Sequence, residues 1–299
     1  MNYSIIEGKL TPENKTFYKD QGYLIAPDVL ESSEVDKLNQ EVIAIGTGKL
    51  GNFEGLADAE NLSDEEIIKK YAAIHFPHKI SGLMKEYAGH QYISEILSGI
   101  VSPNVKCLQT MYFIKAPGKK GQAWHQDEYF IPTRDRSLTG AWMALDDADV
   151  ENGCLWVIPG SHKDGYIRQR IKNDDDSFAD VEGTDLAPYT AEDFVKVEVK
   201  KGSVVFFNGY LLHMSRQNLT KNRFRRALVC HYSSAETMLP WDLDGRIDPT
   251  RDFRDIFIVA GKDPYAYKGT EDLIKPFIRP DVLDFNTKEG REKLKEQKG

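Results

Sequence analysis

The sequence predicts a mainly β protein with flanking helices, its core a sandwich or jelly roll. Three observations carry this. Residues 1–100 hold helical periodicity and helix caps, and residues from Val105 to Ser234 hold short strand-like runs split by turn clusters. The helices also come before the strands instead of alternating with them, which argues against βαβ units. With 299 residues and 40% hydrophobic content, the chain can bury a sizeable core.

The elements follow in order. Thr11-Pro12-Glu13 puts a capping residue before a proline at the first helical position, and Gly22 closes that helix. Ser32 or Ser33 opens a second helix with Val35, Leu38, Val42 and Ile45 on one face, and Ser63-Asp64-Glu65-Glu66 is the capping-box pattern of a third. From Val105 the period becomes strand-like through VKCLQTMYFIKAP, TGAWMALDDA, GCLWVIPG, VKVEVKKGSVVFF, YLLHMS and RRALVCHYSS, with GKKGQ, DVENG and KKGS as turns. The polar stretch from Lys163 to Asp193 reads as a surface loop or flap. KEGREKLKEQKG at the end reads as a charged, frayed tail. Together these predict one domain, with a mostly helical scaffold over 1–100, the β core over 101–235 and a C-terminal extension over 236–299.

Composition excludes several classes. A net charge of −8 disfavours nucleic acid, whose binding draws on basic patches. No stretch reaches the roughly 18 apolar residues of a membrane span, and MNYSIIEGKLTPENK lacks the layout of a signal peptide, so a cytoplasmic protein without membrane partners is expected. Cys107, Cys154 and Cys230 are odd in number, lack C-x-x-C spacing and sit in apolar runs, so they read as reduced core residues.

The chemistry concentrates in Trp124-His125-Gln126-Asp127. On an extended strand His125 and Asp127 share a face while Gln126 points away, so an imidazole and a carboxylate come within reach of one ion. An H-x-D pair alone is weak, because the chain has 7 His and 47 acidic residues. His213, which ends an apolar run, is the candidate third ligand; together the three would form a 2-His-1-carboxylate facial triad. Such a triad leaves three metal positions open for a bidentate cosubstrate and O2. A 2-oxoglutarate chelating there would leave a distal carboxylate for an arginine fork, and Phe224-Arg225-Arg226 offers two candidates. Parity does not choose between them, since Arg225 shares a face with Ala227, Val229 and His231, and Arg226 with Leu228, Cys230 and Tyr232.

The ordered set Met111, His125-Gln126-Asp127, Trp142, Asn152-Gly153-Cys154-Leu155, Pro159-Gly160-Ser161-His162, His213-x-Ser215 and Phe224-Arg225 resembles the phytanoyl-CoA dioxygenase family. The resemblance runs from about Val105 to Ser233, with His213 standing 88 residues after His125. It implies a double-stranded β-helix, the cupin-like jelly roll, and hydroxylation coupled to decarboxylation of 2-oxoglutarate to succinate and CO2. It further implies Fe(II) on His125, Asp127 and His213, and Arg225 on the distal carboxylate with Ser215 assisting. Met111, Gln126 and Trp142 would line the cosubstrate pocket. Lys79, in His75-Phe76-Pro77-His78-Lys79, would be a further contact. One extra residue before the arginine departs from the family pattern and leaves Arg226 open. An aspartate at the carboxylate position separates the chain from related halogenases, which carry a small residue there. The primary substrate would be a small molecule or an acyl compound. Two rivals stand beside this reading: a cupin-like isomerase or epimerase, which has no need of Arg225, and a catalytically silent jelly-roll binding module. A second metal site at His75 and His78 lacks a carboxylate or cysteine partner at ligand spacing, and His162 reads as ordering a turn.

Overall fold

A computed structural model describes residues 6, 8–57, 61–237, 256–269 and 274–281. The N-terminal part runs α1 (Pro12–Gln21), β1 (Tyr23–Ala26), α2 (Ser32–Gly46), α3 (Asp64–Lys69), β2 (Tyr71–His75), α4 (Gly82–Ala88) and α5 (Gln91–Ile100). The core follows with β3 (Val105–Lys115), β4 (Gln122–His125), β5 (Thr139–Ala144), β6 (Leu155–Val157), β7 (Arg170–Lys172), β8 (Glu182–Thr184), β9 (Val195–Val197), β10 (Val204–Asn208), β11 (His213–Ser215) and β12 (Arg225–Ser234). Two further strands, β13 (Phe257–Ala260) and β14 (Phe277–Pro280), close the described chain.

The predicted helix boundaries hold where caps wrote them. Thr11 accepts the Asn14 amide at 3.2 Å and Gly22 takes the left-handed conformation at φ 84°, which ends α1 at the residue before it. Ser63 caps α3 by accepting the Glu66 amide. The predicted helical scaffold is incomplete, however, because β1 and β2 also lie within residues 1–100. Their apolar runs, Tyr-Leu-Ile-Ala and Tyr-Ala-Ala-Ile, are too short for periodicity to separate strand from helix, and sheet pairing decides.

Two sheets form the jelly roll. The larger has eight strands in the order β1-β10-β5-β12-β3-β2-β14, with β13 also paired to β3; the smaller runs β4-β11-β6-β9. Alternation sorts the residues of the large sheet into two cores. Leu24, Tyr112, Met143, Phe206, Leu228 and Cys230 face outward against Leu38, Val42 and Ile45 of α2 and Ile93 and Leu97 of α5. Tyr23, Trp142, Val205, Phe207, Ala227 and Val229 face inward against Leu155 and Val157 of β6 and Leu211. Fully burying one such aliphatic side chain contributes roughly 1.5–3 kcal/mol, so both faces hold the sheet in register.

The stretch expected to be a surface loop carries its own two-stranded sheet, β7 with β8. All three cysteines are buried and free, as expected. His162 ties the turn after β6 to α1, its Nε2–H donating to the Lys19 carbonyl at 3.0 Å. The expected C-terminal tail, 288–299, lies outside the described residues.

Candidate metal centre

The small sheet brings the two histidines together. β4 and β11 are antiparallel neighbours with His125 opposite His213, and their ring centroids are 4.1 Å apart. Each imidazole is fixed from behind: Nδ1–H of His125 donates to the Ala123 carbonyl at 2.7 Å, and Nδ1–H of His213 to the Leu211 carbonyl at 2.9 Å. A carbonyl only accepts, so both protons sit on Nδ1 and both Nε2 lone pairs point forward. Asp127 is not on the strand as predicted. β4 ends at His125 and Asp127 opens a 3-10 turn over Asp127–Tyr129. Gln126 between them stays extended at φ −123° and ψ 127°, which preserves the alternation the prediction relied on.

Asp127 Oδ1 lies 3.6 Å from Nε2 of His125 and 3.6 Å from Nε2 of His213. The three ligand atoms are within 4.8 Å of one another and all three residues are buried. Burial and the neighbouring His213 push the His125 imidazole down to about 3, so it is a neutral donor. Burial alone would raise the Asp127 carboxyl, but His213 and His231 outweigh it and hold the group below the usual carboxylate range. Two directed nitrogen lone pairs and one carboxylate oxygen on a common point are the donor set of a facial triad, so the residues fit a ferrous ion.

The interior face of β12 supplies the rest. Arg225 is buried in the inner core, its guanidinium carbon 5.6 Å from the Trp142 ring centroid and its Nε without a hydrogen-bond partner. Desolvation lowers it to about 10. Arg226 points outward, where Nε and a terminal nitrogen clamp Asp146 at 2.8 and 2.6 Å. The ambiguity left by parity is resolved by which face the helices cover. Arg225, Lys115 and Ser215 border a cavity of about 840 Å³ that extends past Arg170, Asp180 and Arg279. Lys115 Nζ donates to Ser215 Oγ at 2.8 Å and to the Arg216 carbonyl at 2.5 Å, and burial, then Arg225, lower its pKa well below the ordinary lysine value. None of the triad residues lines this cavity, though Gln122 and Ser215 on their strands do. The ligand geometry, not the cavity, therefore locates the centre.

The phytanoyl-CoA dioxygenase (PhyH) family model matches residues 18–227. The chain belongs to the phytanoyl-CoA dioxygenase family. A phytanoyl-CoA dioxygenase of Arabidopsis thaliana is 30% identical over 257 residues, covering 76% of this chain and 89% of that protein. Among solved structures the chain is similar to the non-haem α-ketoglutarate-dependent carbocyclase SnoK of nogalamycin biosynthesis, with a TM-score of 0.60, 24% identity and coverage of 81% and 92%. The epimerase SnoN in complex with Fe3+, α-ketoglutarate and nogalamycin RO has a TM-score of 0.56 and 20% identity over 79% and 91%. As a phytanoyl-CoA dioxygenase family member, the protein is a 2-oxoglutarate-dependent dioxygenase using Fe(II), 2-oxoglutarate and O2.

The remaining predicted residues divide. Trp142 and Met111 lie opposite Val229 on the two strands flanking β12, and Ser215 and Arg225 reach the cavity. Gln126 does not point to the centre. Its amide donates to the Tyr210 and Tyr166 carbonyls and accepts the Arg168 N–H, so it fastens a loop from the opposite side of the chain. Lys79 is not brought to the cavity either; its amine donates to the Ile274 carbonyl, because a 3-10 turn over Pro77–Lys79 carries it past the end of β2. In the same segment His75 stacks on Phe277 at 4.2 Å, and His78 Nδ1 meets Thr110 Oγ1 at 2.6 Å. Two residues that sequence reasoning gave no role belong to the site, Lys115 and His231. Both carried a signal, since each is a polar residue at an inward-facing parity of a buried strand.

Proposed function

We propose that this dioxygenase hydroxylates a small-molecule or acyl substrate, releasing succinate and CO2, in the cytoplasm. The observation that carries the reading is the triad of His125, Asp127 and His213 facing the same interior as Arg225, a buried cation with no ion pair among the described residues. A buried guanidinium without a counter-charge costs several kcal/mol, which a ligand carboxylate offsets. Arg225 would take the distal carboxylate of 2-oxoglutarate, with Ser215 and Lys115 beside it and Trp142 against its flat face.

Bound iron supplies O2 activation, and the chain supplies the rest. His125 and His213 present neutral nitrogen donors held by the Ala123 and Leu211 carbonyls. The apolar inner core around Val229, Phe207 and Leu211 excludes water from the reacting centre. Asp127 occupies the carboxylate position, which supports hydroxylation. Three buried free cysteines fit a reducing compartment. Neither rival reading needs a buried, unpaired arginine on the face shared with the triad.

Two experiments test this. Anaerobic addition of Fe(II) and 2-oxoglutarate should produce a weak visible band, and its absence would favour the cupin-like isomerase or epimerase or the silent binding module. A metabolite screen should then find a compound that raises succinate formation above the uncoupled background and gains one oxygen by mass. Conversion without oxygen gain would replace hydroxylation by another oxidative outcome.

A further inference from the structure

The two oxygens of Asp127 have unequal surroundings. Oδ1 stands at 3.6 Å from both histidine Nε2 atoms, whereas Oδ2 accepts a hydrogen bond from His231 Nε2–H at 2.9 Å. His231 lies on the inward face of β12, two residues beyond Val229, where its backbone pairs with Gln109 of β3 and Gly140 of β5. It is buried, and its second nitrogen, Nδ1, is buried without a partner. A residue kept only to fill this space would not leave a polar atom unsatisfied, since phenylalanine or leucine would fill it without that penalty. The hydrogen bond to Asp127 is what the imidazole adds.

We propose that His231 is a positioning residue that holds Asp127 as a one-oxygen metal ligand. The inference rests on the assignment of His125, Asp127 and His213 as the metal ligands. With Oδ2 engaged by His231, Asp127 offers only Oδ1 to the metal. The carboxylate then fills one coordination position instead of two, and three adjacent positions stay open for a bidentate cosubstrate and one further ligand. Without His231, the carboxylate is free to rotate and to chelate through both oxygens. That would close a position the cosubstrate needs.

The test compares His231→Phe, which keeps the ring volume, with His231→Gln, which restores a side-chain N–H. Fe(II) dissociation constants and the visible band of the anaerobic Fe(II)·2-oxoglutarate complex are measured in the full chain, with the melting temperature of the metal-free form as control for folding. His231→Phe should weaken Fe(II) binding about 10- to 100-fold or shift and weaken the band, with a cooperative apo unfolding transition somewhat below wild type because Asp127 Oδ2 loses its donor, and His231→Gln should recover most of either loss. Wild-type affinity together with an unchanged band in His231→Phe would overturn the proposal. So would a His231→Gln variant as impaired as His231→Phe, since packing would then explain the loss. If Asp127→Ala retained Fe(II) at wild-type affinity, the ligand assignment itself would fail, a result distinct from either.

Discussion

Replacing Arg225 and Arg226 by alanine, one at a time, should produce opposite phenotypes from neighbouring positions. Arg225 is buried, inward and without a hydrogen-bond partner at Nε, so removing it takes a costly charge out of the core. The metal-free protein should lose little stability or gain some, while losing the anchor for the distal carboxylate of 2-oxoglutarate. A charge-assisted contact of that kind contributes about 1.5–3 kcal/mol, or about 10- to 150-fold in apparent 2-oxoglutarate affinity. Arg226 clamps Asp146 with contacts of 2.8 and 2.6 Å on the helix-covered face. Its loss strands a partly buried carboxylate at a cost of about 1–3 kcal/mol of folding stability, with cosubstrate affinity unchanged. The assays are succinate formation against 2-oxoglutarate concentration at matched iron content, and urea unfolding of both apo variants. A large affinity shift in Arg226→Ala with none in Arg225→Ala would refute the inward assignment. No shift in either would leave the cosubstrate without its proposed anchor.

His125→Ala and Asp127→Ala should each lose stoichiometric Fe(II) while keeping the wild-type circular dichroism spectrum, because barrel packing holds the surrounding strands; full iron occupancy in both would remove the triad. Added 2-oxoglutarate should raise the melting temperature only with a divalent metal present, and an equal shift in chelator would point to another site. Burial holds both His75 and His125 down to about 3, below the ordinary 6.5. The unfolded chain therefore takes up protons first on acidification, and the stability of the metal-free protein should fall between pH 6 and 5. The two histidines contribute about 1.4 kcal/mol per pH unit each, and His75→Phe, which keeps a ring against Phe277, should remove one of those contributions from the measured slope.

Sequence reasoning succeeded where the information is local or strictly periodic. Thr11, Gly22 and Ser63 mark helix ends because caps satisfy backbone groups within a few residues. Alternation points to His125 and Asp127 as a pair, and the resemblance adds His213, whereas the pairing of β4 with β11 that sets the two histidines side by side is visible only in the structure. What failed needed tertiary information. β1 and β2 are strands because β10 and β3 offer edges, and nothing in four or five apolar residues says so. Arg225 and Arg226 have equally apolar strand-mates, and only the helices packed on Leu228 and Cys230 show which face is outside. The resemblance places Lys79 and Gln126 in the pocket, yet the short turn at Pro77 and the loop carbonyls of Tyr166 and Tyr210 redirect them.

The way the large sheet ends has a practical bearing on how small a working fragment of this protein can be. β1 covers the free side of β10, and β2 with β14 covers the free side of β3, so strands from before residue 101 and after residue 235 border both flanks of the central jelly-roll strands. An excised 101–235 piece would retain every proposed metal ligand but expose two long rows of unpaired backbone amides and carbonyls, Val204–Asn208 on one side and Val105–Lys115 on the other. Such rows template intermolecular strand addition. The smallest soluble catalyst should thus include Tyr23 at one end and Pro280 at the other, well beyond the stretch that carries the chemistry.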